Sequence, residues 1–239
     1  MVSGATGQLA LGVAGPVVTI VITNPAKRNA MTGDMWRALP PLLDGLRDDP
    51  SVKVVVLTGA GGTFCAGADI AEAAALARDG DESIAVRAER ALADFPKPTI
   101  AAIEGYCVGG GCQLAVACDL RFAAADARFG STPAKLGIVY PPSTTRRLAA
   151  LVGPARAKLL LFGAELIDAP AALRIGLIDG IGEDAGAVAR TLAQRSQLTI
   201  HAAKAVVDGR KPPAQDEKEL AEGVAAFTAK RAPDFGWAG

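Results

Sequence analysis

The chain reads as an α/β protein with parallel strands. Apolar runs of β character at Val17–Thr23, 53–58, Thr99–Ile103 and 119–124 alternate with segments of helical character, the pattern of strands joined by crossover helices. Two of these runs lead directly into glycine-rich turns that open a helix. A length of 239 residues, half of them apolar, is enough to bury a large core as one soluble globular domain.

Taken in order, residues 9–11 and Val17–Thr23 read as two strands joined by the turn Gly12-Val13-Ala14-Gly15-Pro16. A helix follows, with Thr32 as N-cap, running towards Asp49. Pro40 and Pro41 fall inside it, and a proline there removes a hydrogen bond and clashes with the preceding turn, at about 3 kcal/mol, so a kink or break is expected. The strand at 53–58 and its glycine turn lead to a helix from about Asp69. Residues 78–82 are polar enough for a flexible excursion, and a helix from 81–83 to Phe95 is stopped by Pro96 and Pro98. Beyond the strands at 99–103 and 119–124 the chain is mostly helical from Pro142, its last helix covering 217–230.

Composition excludes several classes. The 25 basic and 25 acidic residues cancel and are interspersed, which argues against a nucleic-acid surface. No apolar run is long enough to span a bilayer, and residues 1–14 lack the charged start and apolar centre of a signal peptide, so a cytoplasmic protein is expected. Cys65, Cys107, Cys112 and Cys118 match no zinc spacing and read as small buried residues. The single histidine, His201, lies in a helical run and leaves little material for a metal site or a Ser-His-Asp triad.

The chemistry concentrates in the glycine turns. Gly109-Gly110-Gly111 precedes a helix start at Cys112, and Gly59-Ala60-Gly61-Gly62 opens a turn that ends at Ala66-Gly67-Ala68-Asp69-Ile70. Without Cβ the backbone can approach a ligand closely, and N–H groups at a helix N-terminus lack internal partners and favour negative charge. Two such turns can aim two N–H groups at one oxygen, the layout of an oxyanion hole.

These segments, with Asn24-Pro25-Ala26-Lys27-Arg28-Asn29-Ala30-Met31, Lys97-Pro98-Thr99-Ile100, Ala117-Cys118-Asp119-Leu120-Arg121 and Ala127-Arg128-Phe129-Gly130, resemble the crotonase, or enoyl-CoA hydratase/isomerase, family over nearly the whole chain. The resemblance implies a spiral of ββα repeats over 1–190 and a C-terminal helical region over 191–239 that mediates assembly into homotrimers or homohexamers. It implies an acyl-CoA thioester as substrate, with coenzyme A part of that substrate and no separate cofactor or metal. It also assigns the oxyanion donors to Ala68 and Gly110, and contacts to the CoA moiety to Lys27, Arg28, Ala66, Asp69, Ile70, Phe227 and Lys230, the last two reaching a neighbouring subunit. Asp69 in the family mainly braces its loop.

Two positions depart from a working hydratase. The two glutamates that handle water in such enzymes align with Gln113 and Pro133, which leaves no acid–base pair there. Thr132-Pro133, Leu136-Gly137-Ile138 and Tyr140 are instead similar to the corresponding segment of methylmalonyl-CoA decarboxylases, in which the tyrosine lies beside the substrate carboxylate. Three readings follow: an enolate-stabilising lyase, isomerase or decarboxylase in which Gln113 and Tyr140 touch the reacting atoms; a hydratase using Asp69, Glu72 or Glu104 as base; or a non-catalytic acyl-CoA carrier or sensor. The acyl-group walls are expected around 72–90 and 139–147.

Overall fold

The computed structural model describes residues 7–72 and 79–236. Six strands form one sheet in the order β1-β2-β3-β4-β6-β9, with β1 Gln8–Ala14, β2 Val17–Thr23, β3 Val54–Gly59, β4 Thr99–Ile103, β6 Leu120–Ala123 and β9 Gly180–Ile181. The hairpin β1–β2 is antiparallel and the remaining pairs are parallel. Three shorter strands, β5 Tyr106–Val108, β7 Arg128–Gly130 and β8 Ile167–Asp168, make a second sheet. The α/β class and the parallel core agree with the sequence.

Some element boundaries differ from those expected. The first strand extends to Ala14, because Gly15 at φ +58° lets a two-residue turn close the hairpin with Ala14 opposite Val17. The helix Gly33–Arg47 runs unbroken through Pro40 and Pro41, with the Thr32 hydroxyl accepting from the Met35 N–H at 3.3 Å as its cap. Its Met35, Trp36, Leu39 and Leu43 are fully or almost fully buried. Burial of such side chains stabilises by about 1.5–3 kcal/mol each, so the four together match or exceed the two proline penalties of about 3 kcal/mol each.

Residues 80–82 form a short 3-10 turn, tied to the helix Pro142–Val152 by the Asp81 carboxylate, which accepts from the Ser143 hydroxyl at 2.6 Å and its N–H at 3.1 Å. The next helix, Ile84–Ala93, is capped by Ser83. The helix expected from Asp69 lies partly outside the described residues. The last helix is Glu217–Thr228, and Lys230 lies beyond it at φ +54°. The helix Ala185–Ala193 spans residue 190 and covers the sheet with Ala185, Ala189 and Ala193 against Val54, Val56 and Ile100.

The main core holds Trp36, Phe64, Phe95 and Phe129, all buried, and the free thiols of Cys65, Cys107, Cys112 and Cys118 lie inside it. Among the described residues no helix is long and apolar enough to cross a membrane, and no group of acidic, cysteine and histidine residues is arranged to hold a metal ion.

Candidate functional site

The first glycine turn, after β3, is laced to β5 by main-chain bonds. Phe64 donates to the Glu104 carbonyl at 2.7 Å, Cys65 to Tyr106 at 2.8 Å, and Val108 back to Cys65 at 3.0 Å. The segment Asn24–Met31 clamps the same turn from the other side. Met31 donates to the Gly67 carbonyl at 2.8 Å, Asp69 to Met31 at 2.8 Å and Ala66 to Arg28 at 3.0 Å, while the Asn29 amide donates to the carbonyls of Ala60 and Thr63 at 2.8 and 2.5 Å. The turn is therefore held on two sides by backbone and amide bonds.

The second turn runs from β5 into the helix Gly110–Ala117, with Gly109 at φ +56°, a conformation that favours glycine. Close packing fixes Gly111 as well, since a Cβ there would stand 2.3 Å from the Cys65 carbonyl oxygen. The two turns consequently meet: a Cβ on Gly110 would stand 3.3 Å from the Ala68 nitrogen, and one on Gly67 would stand 3.6 Å from the Gly110 nitrogen. Neither the Ala68 nor the Gly110 N–H donates to another main-chain group among the described residues. Two partner-free donors side by side at a helix N-terminus suit an oxygen that gains negative charge.

They open on a cavity of about 530 Å³ with mostly apolar walls. Trp36, Ala85, Val86, Leu136, Ile138, Val139 and Tyr140 line it, together with Gln113 and Pro133. The Trp36 ring lies 3.0 Å from where a Gly110 Cβ would be, and its indole N–H is buried without a partner among the described residues. A concave apolar pocket with a few convergent polar groups is the form of a small-molecule site.

The profile of the Enoyl-CoA hydratase/isomerase family matches residues 13–210, well over half of the chain. The chain belongs to this family, the crotonases. It is 32% identical over 247 residues to a crotonyl-CoA hydratase from Syntrophomonas wolfei, an alignment covering 92% of this chain and 94% of the relative. Among solved structures, an enoyl-CoA hydratase/isomerase family member superposes with a TM-score of 0.89 at 37% identity over 98% of both chains. An enoyl-CoA hydratase from Bacillus anthracis superposes with 0.84 at 29% identity, over 95% of this chain and 98% of that one. The fold is the crotonase fold, and the family acts on acyl-CoA thioesters.

Of the residues singled out in the sequence, the cavity brings together Lys27, Ala66, Ala68, Asp69, Ile70, Gly110, Gln113, Pro133 and Tyr140. Lys27 donates to Asp69, and that bond, followed by the Ala71 N–H, holds the Asp69 carboxyl below its ordinary range. A carboxylate so engaged braces its loop and is poorly placed as a base. Glu72 accepts from the Gly33 N–H at 2.8 Å, and Glu104 is exposed outside the cavity lining, so neither stands where the hydratase reading requires a base. Arg28 stays outside the lining with its guanidinium 5.3 Å from the Tyr106 ring centroid. Phe227 is 86% exposed on the last helix, and neither it nor Lys230 lines the cavity of its own chain.

Tyr140 is pressed towards the second turn, its hydroxyl 3.7 Å from where a Gly109 Cβ would be. Burial, with Cys112 and Glu89 adding, raises its phenol above the ordinary range, so at neutral pH the hydroxyl keeps its proton. The residue that sequence reasoning missed is Glu89. It is 1% exposed, lines the cavity, and accepts at Oε2 from the Thr144 hydroxyl at 2.7 Å and from Arg147 at 3.2 Å. Its signal was present: Val86, Glu89 and Leu92 share one face of the helix Ile84–Ala93, a carboxylate on an apolar stripe.

Proposed function

We propose that the cavity binds an acyl-CoA thioester with its carbonyl oxygen between the N–H groups of Ala68 and Gly110 and stabilises the enolate that forms there. The observation that carries this reading is the pair of partner-free N–H groups that meet in the lining of an apolar cavity. As charge develops on the oxygen each fixed donor strengthens, typically by about 3–4 kcal/mol at the transition state. Lys27, with its side chain about half exposed, and the neighbouring Arg28 supply positive charge at the rim for the CoA phosphates, while Ala66, Asp69 and Ile70 shape the entry.

Hydration is not the chemistry that this reading supports. Gln113 cannot take a proton at neutral pH and Pro133 has no polar side chain, so attacking water lacks both of its usual handlers. Acid–base assistance contributes about 10² to 10⁴ in rate. Crotonyl-CoA hydration by the purified protein is therefore expected to run slower by at least about that factor than in a relative carrying both glutamates. Hydration at the relative's rate would overturn the inference from Gln113 and Pro133.

A second reading is favoured by the protonated Tyr140 hydroxyl beside Gly109. A donor there can hold the carboxylate of an acyl-CoA acid while loss of CO₂ generates the enolate without a base. It expects methylmalonyl-CoA to release CO₂, with Tyr140→Phe slowing the release and leaving affinity nearly unchanged. If the substrate binds and no CO₂ appears, this second reading falls and the first stands.

A further inference from the structure

Glu89 has the geometry of a working group more than of a structural ion pair. Only one carboxylate oxygen is tied back: Oε2 takes both bonds from the helix Pro142–Val152, while Oε1 accepts none from the described residues and the side chain lines the cavity. The same carboxyl borders the small hollow behind Gln113 and Tyr140, so it stands next to the wall where the family's usual acid–base residues are replaced. A buried carboxylate is expensive, and an apolar residue of similar volume commonly serves packing as well or better.

We infer that Glu89 is the acid–base group of this cavity, taking a proton from the carbon next to the thioester carbonyl and returning it; as a single carboxyl it serves carbon and does not restore the pair that handles water in hydratases. This rests on the acyl-CoA reading above. In the step, Oε1 of the carboxylate forms a bond to the α-hydrogen as the C–H bond breaks. The electron pair passes to the thioester oxygen, held by Ala68 and Gly110. The reverse step returns a proton from the carboxylic acid to carbon, so a single group closes the cycle and no oxidant or reductant is needed.

The surroundings suit both protonation states. Burial pushes the Glu89 carboxyl up to about 7, against the pull of the Thr144 hydroxyl and the Arg147 cation, with Asp81 adding to the rise. Cys112 and Tyr140 also face it, and no charged group of the helix Gly33–Arg47 acts on it.

The test follows deuterium loss to water from butyryl-CoA deuterated at the α-carbon, with calorimetry of butyryl-CoA binding alongside. The wild-type protein is expected to wash out the label at a rate that rises with pH through about 7 and then levels. Glu89→Gln is expected to lower that rate at least about 100-fold, with affinity and circular dichroism nearly unchanged. Arg147→Met removes the cation that favours the ionised form, so it should move the midpoint of the pH profile upward, a readout that a purely structural role would not shift. Binding without wash-out by the wild type, equal wash-out by folded Glu89→Gln, or an unmoved midpoint in Arg147→Met would each overturn the inference. Absence of butyryl-CoA binding by the wild type would instead overturn the acyl-CoA reading, and this one with it.

Discussion

Glu89 couples the site to stability through its proton. Its carboxyl titrates near 7 in the folded protein against an ordinary 4.5, so the folded state binds the proton more tightly than the unfolded chain. The sign follows: its contribution to stability is fully present below about 4.5 and is lost as pH rises to about 7. Glu89→Gln, which cannot ionise, is accordingly expected to melt above the wild type at pH 8, with the difference shrinking towards pH 4.5. Thermal melts at the two pH values check this, and a difference independent of pH would contradict it. The two glycine turns were legible in the sequence because each directly follows a strand run, whereas the donor roles proposed for Ala68 and Gly110 came from the resemblance to the crotonases and not from the glycines themselves. Glu89 was harder to read, since a glutamate every few residues on a helix is ordinary and only its neighbours Val86 and Leu92 place it on the buried face. Which cavity that face lines is set by the helix Pro142–Val152 across from it, some fifty residues away in sequence.

At the level of elements, two substitutions separate local propensity from packing. Pro41 is exposed in the middle of the helix Gly33–Arg47, so Pro41→Ala restores an N–H without disturbing the core. Denaturant unfolding is expected to show a gain of about 1–3 kcal/mol. No gain would mean that the helix has already relaxed around the proline. Gly111→Ala acts in the opposite sense, because its methyl would stand 2.3 Å from the Cys65 carbonyl oxygen and 2.7 Å from the Cys65 Cβ, and the two site turns would have to separate. A loss of about 1–3 kcal/mol is expected by the same measurement, together with weakened acyl-CoA binding. The unbroken helix could not be read from local rules, which weigh the prolines and not the burial of Trp36 and Leu39. The strand Tyr106–Val108 escaped for a related reason. Three residues between glycines carry no periodicity, and the strand exists because Cys65 and Arg128–Gly130 pair with it.

The whole chain leaves apolar side chains of its C-terminal helices uncovered. Leu220, Val224 and Phe227 are half or more exposed along the helix Glu217–Thr228, as are Val206 and Val207 at the end of the helix Gln197–Val207. We propose that a second copy covers them, and light scattering is expected to give a trimer or hexamer; a clean monomer at micromolar concentration would also remove the role proposed for Phe227 and Lys230 in a neighbouring site. The α/β order and the family were readable from the sequence because several motifs occur in the right sequence along one chain. The pairing of elements into two sheets was not, since it depends on contacts between distant segments. The turns carrying Ala68 and Gly110 are proposed to frame an acyl-CoA site. Calorimetric titration of the purified protein with acetyl-CoA and butyryl-CoA tests this most directly. Saturable binding that strengthens with acyl length, as the apolar cavity fills, is the expected result. No heat and no thermal shift at millimolar ligand would contradict acyl-CoA binding at these turns.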